Sequence, residues 1–133
     1  MLDGAELVAF VATIDLDRSD GFYRGMLGLH HVETTPFANV YEVGGTTLRV
    51  TLVESRVAAP YTVLGWQVAD IGATVAKLAA GGIAVRRFDG MGQDEAGIWT
   101  APGGARIAWF DDPDGNVLSV SQKGSPEVGG NGG

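Results

Sequence analysis

The chain contains no cysteine among its 133 residues. That excludes disulfides, zinc-thiolate sites and thiol nucleophiles, and it suits a cytoplasmic protein. Positive charge is scarce: 9 Lys and Arg stand against 16 Asp and Glu, for a net charge of −7. A surface of that sign repels a phosphate backbone, so nucleic acid is not an expected partner. The same charge serves solubility and would attract a cationic small molecule. Histidine occurs twice only, as the neighbours His30 and His31. No apolar run approaches the roughly 20 residues of a membrane span. The first residues lack the basic region and apolar core of a signal peptide, so none is expected. There is no Gly-rich phosphate loop, no nucleophile elbow and no evident Ser-His-Asp set.

What is present is a globular composition. Apolar residues make up 45% of the chain and charged residues 19%, and a domain of this size hides roughly two-thirds of its unfolded surface. Residues 1–123 read as one domain. The end, "GSPEVGGNGG", has little to bury and reads as a flexible Gly-rich tail over 124–133. "ELVAFVATIDL" predicts a strand. "DLDRSDGFYRGML" predicts a short helix, capped by Asp17 or Ser19, with Phe22, Tyr23, Met26 and Leu27 at helical spacing and Gly28 ending it. "LHHVETT", "NVYEVGG" and "TTLRVTLVE" predict three strands, with Gly44-Gly45 as a hairpin signal.

The order then repeats. "YTVLGWQVAD" predicts a strand, and "IGATVAKLAAGG" a helix with Ile71, Val75 and Leu78 on one stripe. "IAVRRF", "GIWTA", "ARIAWF" and "NVLSVS" predict further strands. The halves share element order rather than residues, so the reading is an α+β domain of two β-α-β-β-β modules, about 5–55 and 60–122. In "FDDPDGN" Pro113 pre-sets a turn, and Asp114-Gly115 or Gly115-Asn116 takes the positive φ that a reversal needs. Asp111 and Asp112 are expected to bond to turn amides, a structural role that outweighs a catalytic one.

At this point the chain resembles the vicinal oxygen chelate superfamily, which includes glyoxalase I, bleomycin-resistance proteins and extradiol dioxygenases. "DLDRSDGFYRGMLGL" looks like that family's first helix and exit, and "FDDPDGNVLSV" like its final hairpin. The resemblance covers about residues 5–122. It implies a curved mixed sheet around a crevice, with helices on the outer face, and usually a homodimer. The family's enzymes bind a divalent metal through four ligands, usually His and Glu. The corresponding positions here hold Val8, Arg49, Val63 and Ser119, and a one-residue slip restores no ligand. Neither a metal site nor a cofactor is therefore expected, and no catalytic residue is singled out. Parity assigns Leu7, Ala9, Val11, Leu48, Val50, Leu52, Leu64, Trp66, Val68, Leu118 and Val120 to the helix-facing side. The opposite set faces the crevice: Val8, Phe10, Ala12, Arg49, Thr51, Val53, Val63, Gly65, Gln67, Ser119 and Ser121.

Within that set the candidate ligand-binding residues are Phe10, Arg49, Thr51, Val63, Gln67, Ser119 and Ser121, joined by Trp99 and Trp109. Arg49 is suited to a bidentate contact with a ligand carboxylate or phosphate. Its bland alternative is an ion pair with Glu42 or Glu33, or exposure at the crevice mouth. Trp109 alternates with Phe110 and so faces the crevice, as a wall for a planar ligand or as a dimer contact. Trp99 lies nearby or serves structure, and Trp66 belongs to the core. His30 and His31 point to opposite faces of a strand and so read as edge residues. "GMGQDEAG" (Gly90 to Gly97) reads as a flexible polar loop that covers the crevice or merely connects strands.

These readings lead to the expectation of a metal-free protein that binds a small molecule, with an aromatic one suited to the tryptophans, stoichiometrically, as the drug-sequestering proteins it resembles do. Net charge favours a cationic ligand and Arg49 an anionic one. The alternative is a glyoxalase- or dioxygenase-like enzyme, with non-standard metal ligands or a carboxylate base such as Glu54, Glu42 or Asp94. A third reading is a scaffold whose crevice its own side chains fill.

Overall fold

Alternating side chains build strand β1 over Val8–Thr13 in a computed structural model that describes residues 1–55 and 57–124. All of the expected tail but Gly124 lies outside the described residues. After β1 comes helix α1 (Leu16–Asp20). Its cap is Asp15, not Asp17 or Ser19: the Asp15 backbone is extended and its carboxylate accepts from the Arg18 amide at 3.0 Å. Asp15 is the last extended residue before the coil, so its oxygen reaches the free amides first. From Gly21 to Met26 the helix widens into π-type turns, with Leu27 donating back to the Phe22 carbonyl at 2.9 Å. Gly28, at φ +73°, ends it.

Strands β2 (His30–Thr34), β3 (Ala38–Val43) and β4 (Thr46–Leu52) follow. Gly44 and Gly45 both have positive φ at the β3–β4 reversal, as a tight hairpin requires. The sheet order is β1-β4-β3-β2, with β1 parallel to β4 and the other pairs antiparallel. The second half gives β5 (Thr62–Gln67), α2 (Ile71–Ala80), β6 (Trp99–Thr100), β7 (Arg106–Asp111) and β8 (Val117–Gln122), in sheet order β5-β8-β7-β6. The fold is α+β, with two tandem β-α-β-β-β modules and a mixed four-stranded sheet in each.

"IAVRRF" does not form the expected strand. It makes one bridge, Val85 to Phe110, and one bond from the Arg86 amide to the Trp109 carbonyl at 2.7 Å. The Gln93 side chain supplies what a strand neighbour would: it accepts from the Phe88 amide at 2.7 Å and donates to the Arg86 carbonyl at 2.8 Å. It also donates to the Gly97 carbonyl. Asp94 Oδ1 accepts from the amides of Ala96 and Ile98, both at 2.9 Å. The polar loop expected to be flexible is thus held by its own side chains.

Contacts divide the chain into two compact units. The first comprises Met1–Leu64 together with Asp112–Val117, and the second Gly65–Asp111 and the chain from Leu118. In the first, Val11, Tyr41, Leu48 and Val50 are buried on one sheet face, and Phe22 and Tyr23 are buried on the helix. Tyr23 meets Phe22 edge-on at 5.1 Å and Tyr41 at 6.1 Å. Leu7 and Leu52 depart from the helix-facing assignment, at 72% and 40% exposure. Leu7 precedes β1 and Leu52 ends β4, where the face runs out. In the second unit Ile71, Val75 and Leu78 form the buried stripe of α2. There Trp66 is half-buried and stacks on the buried Phe110 at 6.5 Å, at the margin of the core.

The 112–117 turn is a hub of the first unit. Gly115 takes φ +82°. Asp112 Oδ1 accepts from the amides of Asp114 and Asn116, and Oδ2 from Tyr23 Oη at 2.6 Å and Asn116 Nδ2 at 2.8 Å. Asp114 Oδ1 accepts from the Ile14 amide and from Arg18 Nη2 at 2.9 Å. Asp111 does not join them; it pairs with Arg86 Nε at 2.7 Å, because β7 carries it one residue short of the turn.

Candidate functional site

The open face of the first sheet is set by strand register. Val8, Phe10 and Ala12 of β1 stand opposite Thr47, Arg49 and Thr51 of β4. On the other side of β4 the same residues stand opposite Glu42, Val40 and Ala38 of β3. Arg49 therefore lies between Phe10 and Val40, in a row of three side chains on one face. Phe10 is 62% exposed and Val8 41%; both lie on β1, the edge strand beside β4, and they leave apolar area open on this face. Arg49 is half-buried. It makes no ion pair or hydrogen bond among the described residues, and Glu42 and Glu33, the expected partners, are exposed. Two positions on, Thr51 Oγ1 is buried with no hydrogen-bond partner among the described residues. The structure thus brings Phe10, Arg49 and Thr51 together.

In the second unit, Trp99 pairs with Ile107 across β6 and β7, and strand parity puts Trp109 on that same face. The two indole rings lie 6.2 Å apart at 36°. Phe88 meets Trp109 edge-on at 5.4 Å. Ser119 and Ser121 share a face of β8 and are half-buried. An added Cβ on Gly65 would stand 2.6 Å from Ser119 Oγ, so the glycine makes the niche in which this hydroxyl sits. On β5, Val63, at 39% exposure, belongs to the first unit, and the exposed Gln67 belongs to the second.

Sequence reasoning passed over Phe88, Val40 and Ala38. For Phe88 the missed signal was the bonding of Gln93 just described. For β3 it was that Ala38, Asn39, Val40 and Tyr41 are all buried, so no alternation marks the face. Asn39 is satisfied there by donating to the Leu16 carbonyl at 3.0 Å and accepting from Thr34 Oγ1 at 2.9 Å. A hollow of about 300 Å³ borders α2, lined by Val75, Ala79, Ile83, Val85 and Arg87 among others. The Arg87 guanidinium is already engaged by the carbonyls of Asp94 and Glu95, so the hollow offers little to fix a ligand.

The sequence model of the Glyoxalase/Bleomycin resistance protein/Dioxygenase superfamily matches residues 7–120. The chain belongs to this superfamily. Solved members share its fold. A lactoylglutathione lyase from Agrobacterium tumefaciens is 19% identical with a TM-score of 0.70, over 90% of this chain and 93% of that one. A glyoxalase/bleomycin resistance protein/dioxygenase from Nocardioides is 18% identical with a TM-score of 0.69, over 96% and 88%. Another from Alicyclobacillus acidocaldarius is 19% identical with a TM-score of 0.66, over 90% and 92%. No curated protein matches the chain.

At the four positions to which the resemblance assigns metal ligands, the residues present do not fit a divalent ion. Val8 and Val63 offer hydrocarbon, Arg49 a cation, and Ser119 one neutral hydroxyl, where a divalent ion wants imidazole, carboxylate or thiolate. Among the described residues no three His, Asp or Glu side chains come close enough to hold an ion. His30 is exposed, and His31 Nε2 is bonded to Thr34 Oγ1 at 2.8 Å and lies edge-on to Tyr41. Asp94, one of the possible bases, is occupied in its loop, and Glu42 and Glu54 are exposed. Among the described residues no helix is long and apolar enough to cross a membrane.

Proposed function

We propose that this superfamily member is a metal-free small-molecule-binding protein that acts by stoichiometric capture, as a homodimer in the cytoplasm. The observation that carries the reading is the open face of β1 and β4. There an exposed Phe10 and Val8 flank a half-buried arginine that has no ion pair or hydrogen bond among the described residues. Such a face offers apolar area plus a polar anchor, which is the composition of a small-molecule site. The aromatic group of Trp99, Trp109 and Phe88 supports the same reading for a planar ligand. Of the carboxylates weighed as bases, Asp94 is engaged in its loop and Glu42 and Glu54 are exposed, which favours capture over turnover.

The test is metal retention. The protein is incubated with Fe(II), Ni(II), Zn(II) or Mn(II), gel-filtered and submitted to elemental analysis, and the same elution volume reads its mass. The expected outcome is no stoichiometric metal and a mass of two chains. About one ion per chain, lost when Ser119 is replaced by Ala, would move the protein into the enzyme class.

A further inference from the structure

We propose that β4 carries a carboxylate-binding pair, the Arg49 guanidinium and the Thr51 hydroxyl, and that the ligand is an organic monoanion with an apolar, aromatic body. The inference rests on the small-molecule reading above and deepens it by naming the charge and class of the ligand. Three observations converge. Arg49 is half-buried without an acidic partner among the described residues, although the chain carries 16 acidic residues. A guanidinium kept partly out of water and left unpaired is costly, so its retention in an apolar row calls for a counter-anion that arrives with the ligand. Two residues along the same face, the buried Thr51 Oγ1 has no partner among the described residues. Orphaned buried hydroxyls are rare. Thr51 as a residue is half-buried, so rotation about χ1 exchanges hydroxyl for methyl and presents a second donor beside the guanidinium. Finally, Phe10, the strand partner of Arg49 on β1, is 62% exposed and Val40, its partner on β3, is buried. An aromatic body lying against Phe10 would place its acid group over Arg49.

The donor count selects carboxylate over phosphate. One guanidinium offers two parallel N–H bonds to the two oxygens of a carboxylate and neutralises its single charge. A phosphate dianion would be half neutralised, and sites for it recruit several backbone amides or a helix N-terminus. None is present on this face among the described residues, where the backbone amides of β4 are taken by β1 and β3. The charge of the whole chain is opposite in sign to this site, so selection is local and the ligand a single small anion rather than a polyanion.

The experiment is calorimetric titration of the full chain with 1-naphthoate, the neutral 1-naphthamide and the cationic 1-naphthylmethylammonium. The proposal expects naphthoate to bind about ten- to a hundredfold more tightly than naphthamide, with the preference weakened by salt. Arg49→Met should erase that preference, Arg49→Lys restore part of it, and Thr51→Val reduce it. Circular dichroism checks that each variant folds. Should Arg49→Met not fold, the ranking of the three probes on the unaltered chain still decides. Equal or tighter binding of the amide or the ammonium, or a preference that survives Arg49→Met, overturns the anion inference and leaves small-molecule capture standing. Failure of all three probes to bind overturns both.

Discussion

Four donors converge on the Asp112 carboxylate, and one of them, Tyr23 Oη, arrives from 89 residues away. Tyr23 is fully buried, and burial first, then the charge of Asp112, pushes its phenol well above the ordinary value of 10.0. Tyr41, donating to Asp20 at 2.6 Å, is raised too, by burial and then by that hydrogen bond. A raised phenol pKa favours the folded state's proton. Below about pH 10 both states keep it and this stabilisation is fully present. As pH rises further, the unfolded chain releases protons that the folded chain retains, so stability falls with pH. We expect Tyr23→Phe to lose about 1 kcal/mol near neutral pH, where one hydrogen bond is missing. It should also show a smaller alkaline loss than the parent, with Tyr41 accounting for the remainder. Urea midpoints measured from about pH 8 to pH 11 check both parts, and an unchanged alkaline slope would remove Tyr23 from the account. The turn itself was legible, since Asp-Pro-Asp-Gly-Asn carries its own backbone demands and Asp112 does bond to turn amides. Its distant partners Tyr23, Ile14 and Arg18 were not, because contacts separated by 89 to 100 residues leave no periodic trace. Asp111 illustrates the converse: side by side with Asp112, it belongs to β7 and to Arg86.

At the scale of elements, the strands of the first sheet were readable, but the facing of a strand was readable only where one side is apolar and the other is not. β1, β4 and α2 show their periods, and Ile71, Val75 and Leu78 lie buried where the stripe puts them. β3 hides its period, and "IAVRRF" reads as a strand but yields its bonding to the Gln93 side chain. The parity of β5 and β8 can be tested through the close approach of Gly65 to Ser119. A methyl at Gly65 would meet Ser119 Oγ at 2.6 Å, well inside van der Waals contact, while Ser119 O and Cβ stand at tolerable distances of 3.5 and 3.9 Å. Gly65→Ala must therefore rotate the serine off its rotamer or displace the strand, and it should destabilise by about 1 kcal/mol. Ser119→Ala alone should be mild. In the double variant the obstruction is gone, so the pair should show favourable coupling of about 0.5 to 1 kcal/mol in a denaturation cycle. Additive effects would mean that Gly65 and Ser119 do not face each other, and the register of β5 against β8 would need revision.

At the scale of the molecule, the repeat in element order does not coincide with the division in contacts. The duplicated pattern splits the sequence near residue 60, yet the first compact unit closes only when it takes in Asp112–Val117 from the second half. Those six residues hold the Ile14 amide, the Arg18 guanidinium, the Ala12 carbonyl and the Tyr23 hydroxyl, all belonging to the β1–α1 corner. A sequence repeat reports which elements were copied, whereas the contacts report which groups must be satisfied, and here the two boundaries differ by one turn. Severing the chain between Leu64 and Gly65 separates that corner from its partners. The 1–64 fragment would keep its four strands on paper while burying Tyr23 Oη and the Ile14 amide with nothing to meet them. Each such group costs about 1 to 3 kcal/mol, a large part of the 5 to 15 kcal/mol that hold a domain of ordinary size together. We therefore expect the 1–64 fragment to be unfolded alone by circular dichroism and amide exchange, and to gain structure when mixed with the 65–133 fragment that carries the turn. Replacing Asp112 and Asp114 by Ala in that second fragment should abolish the rescue. A 1–64 fragment that folds cooperatively by itself would show that the module, and not the unit completed by the turn, is the folding entity.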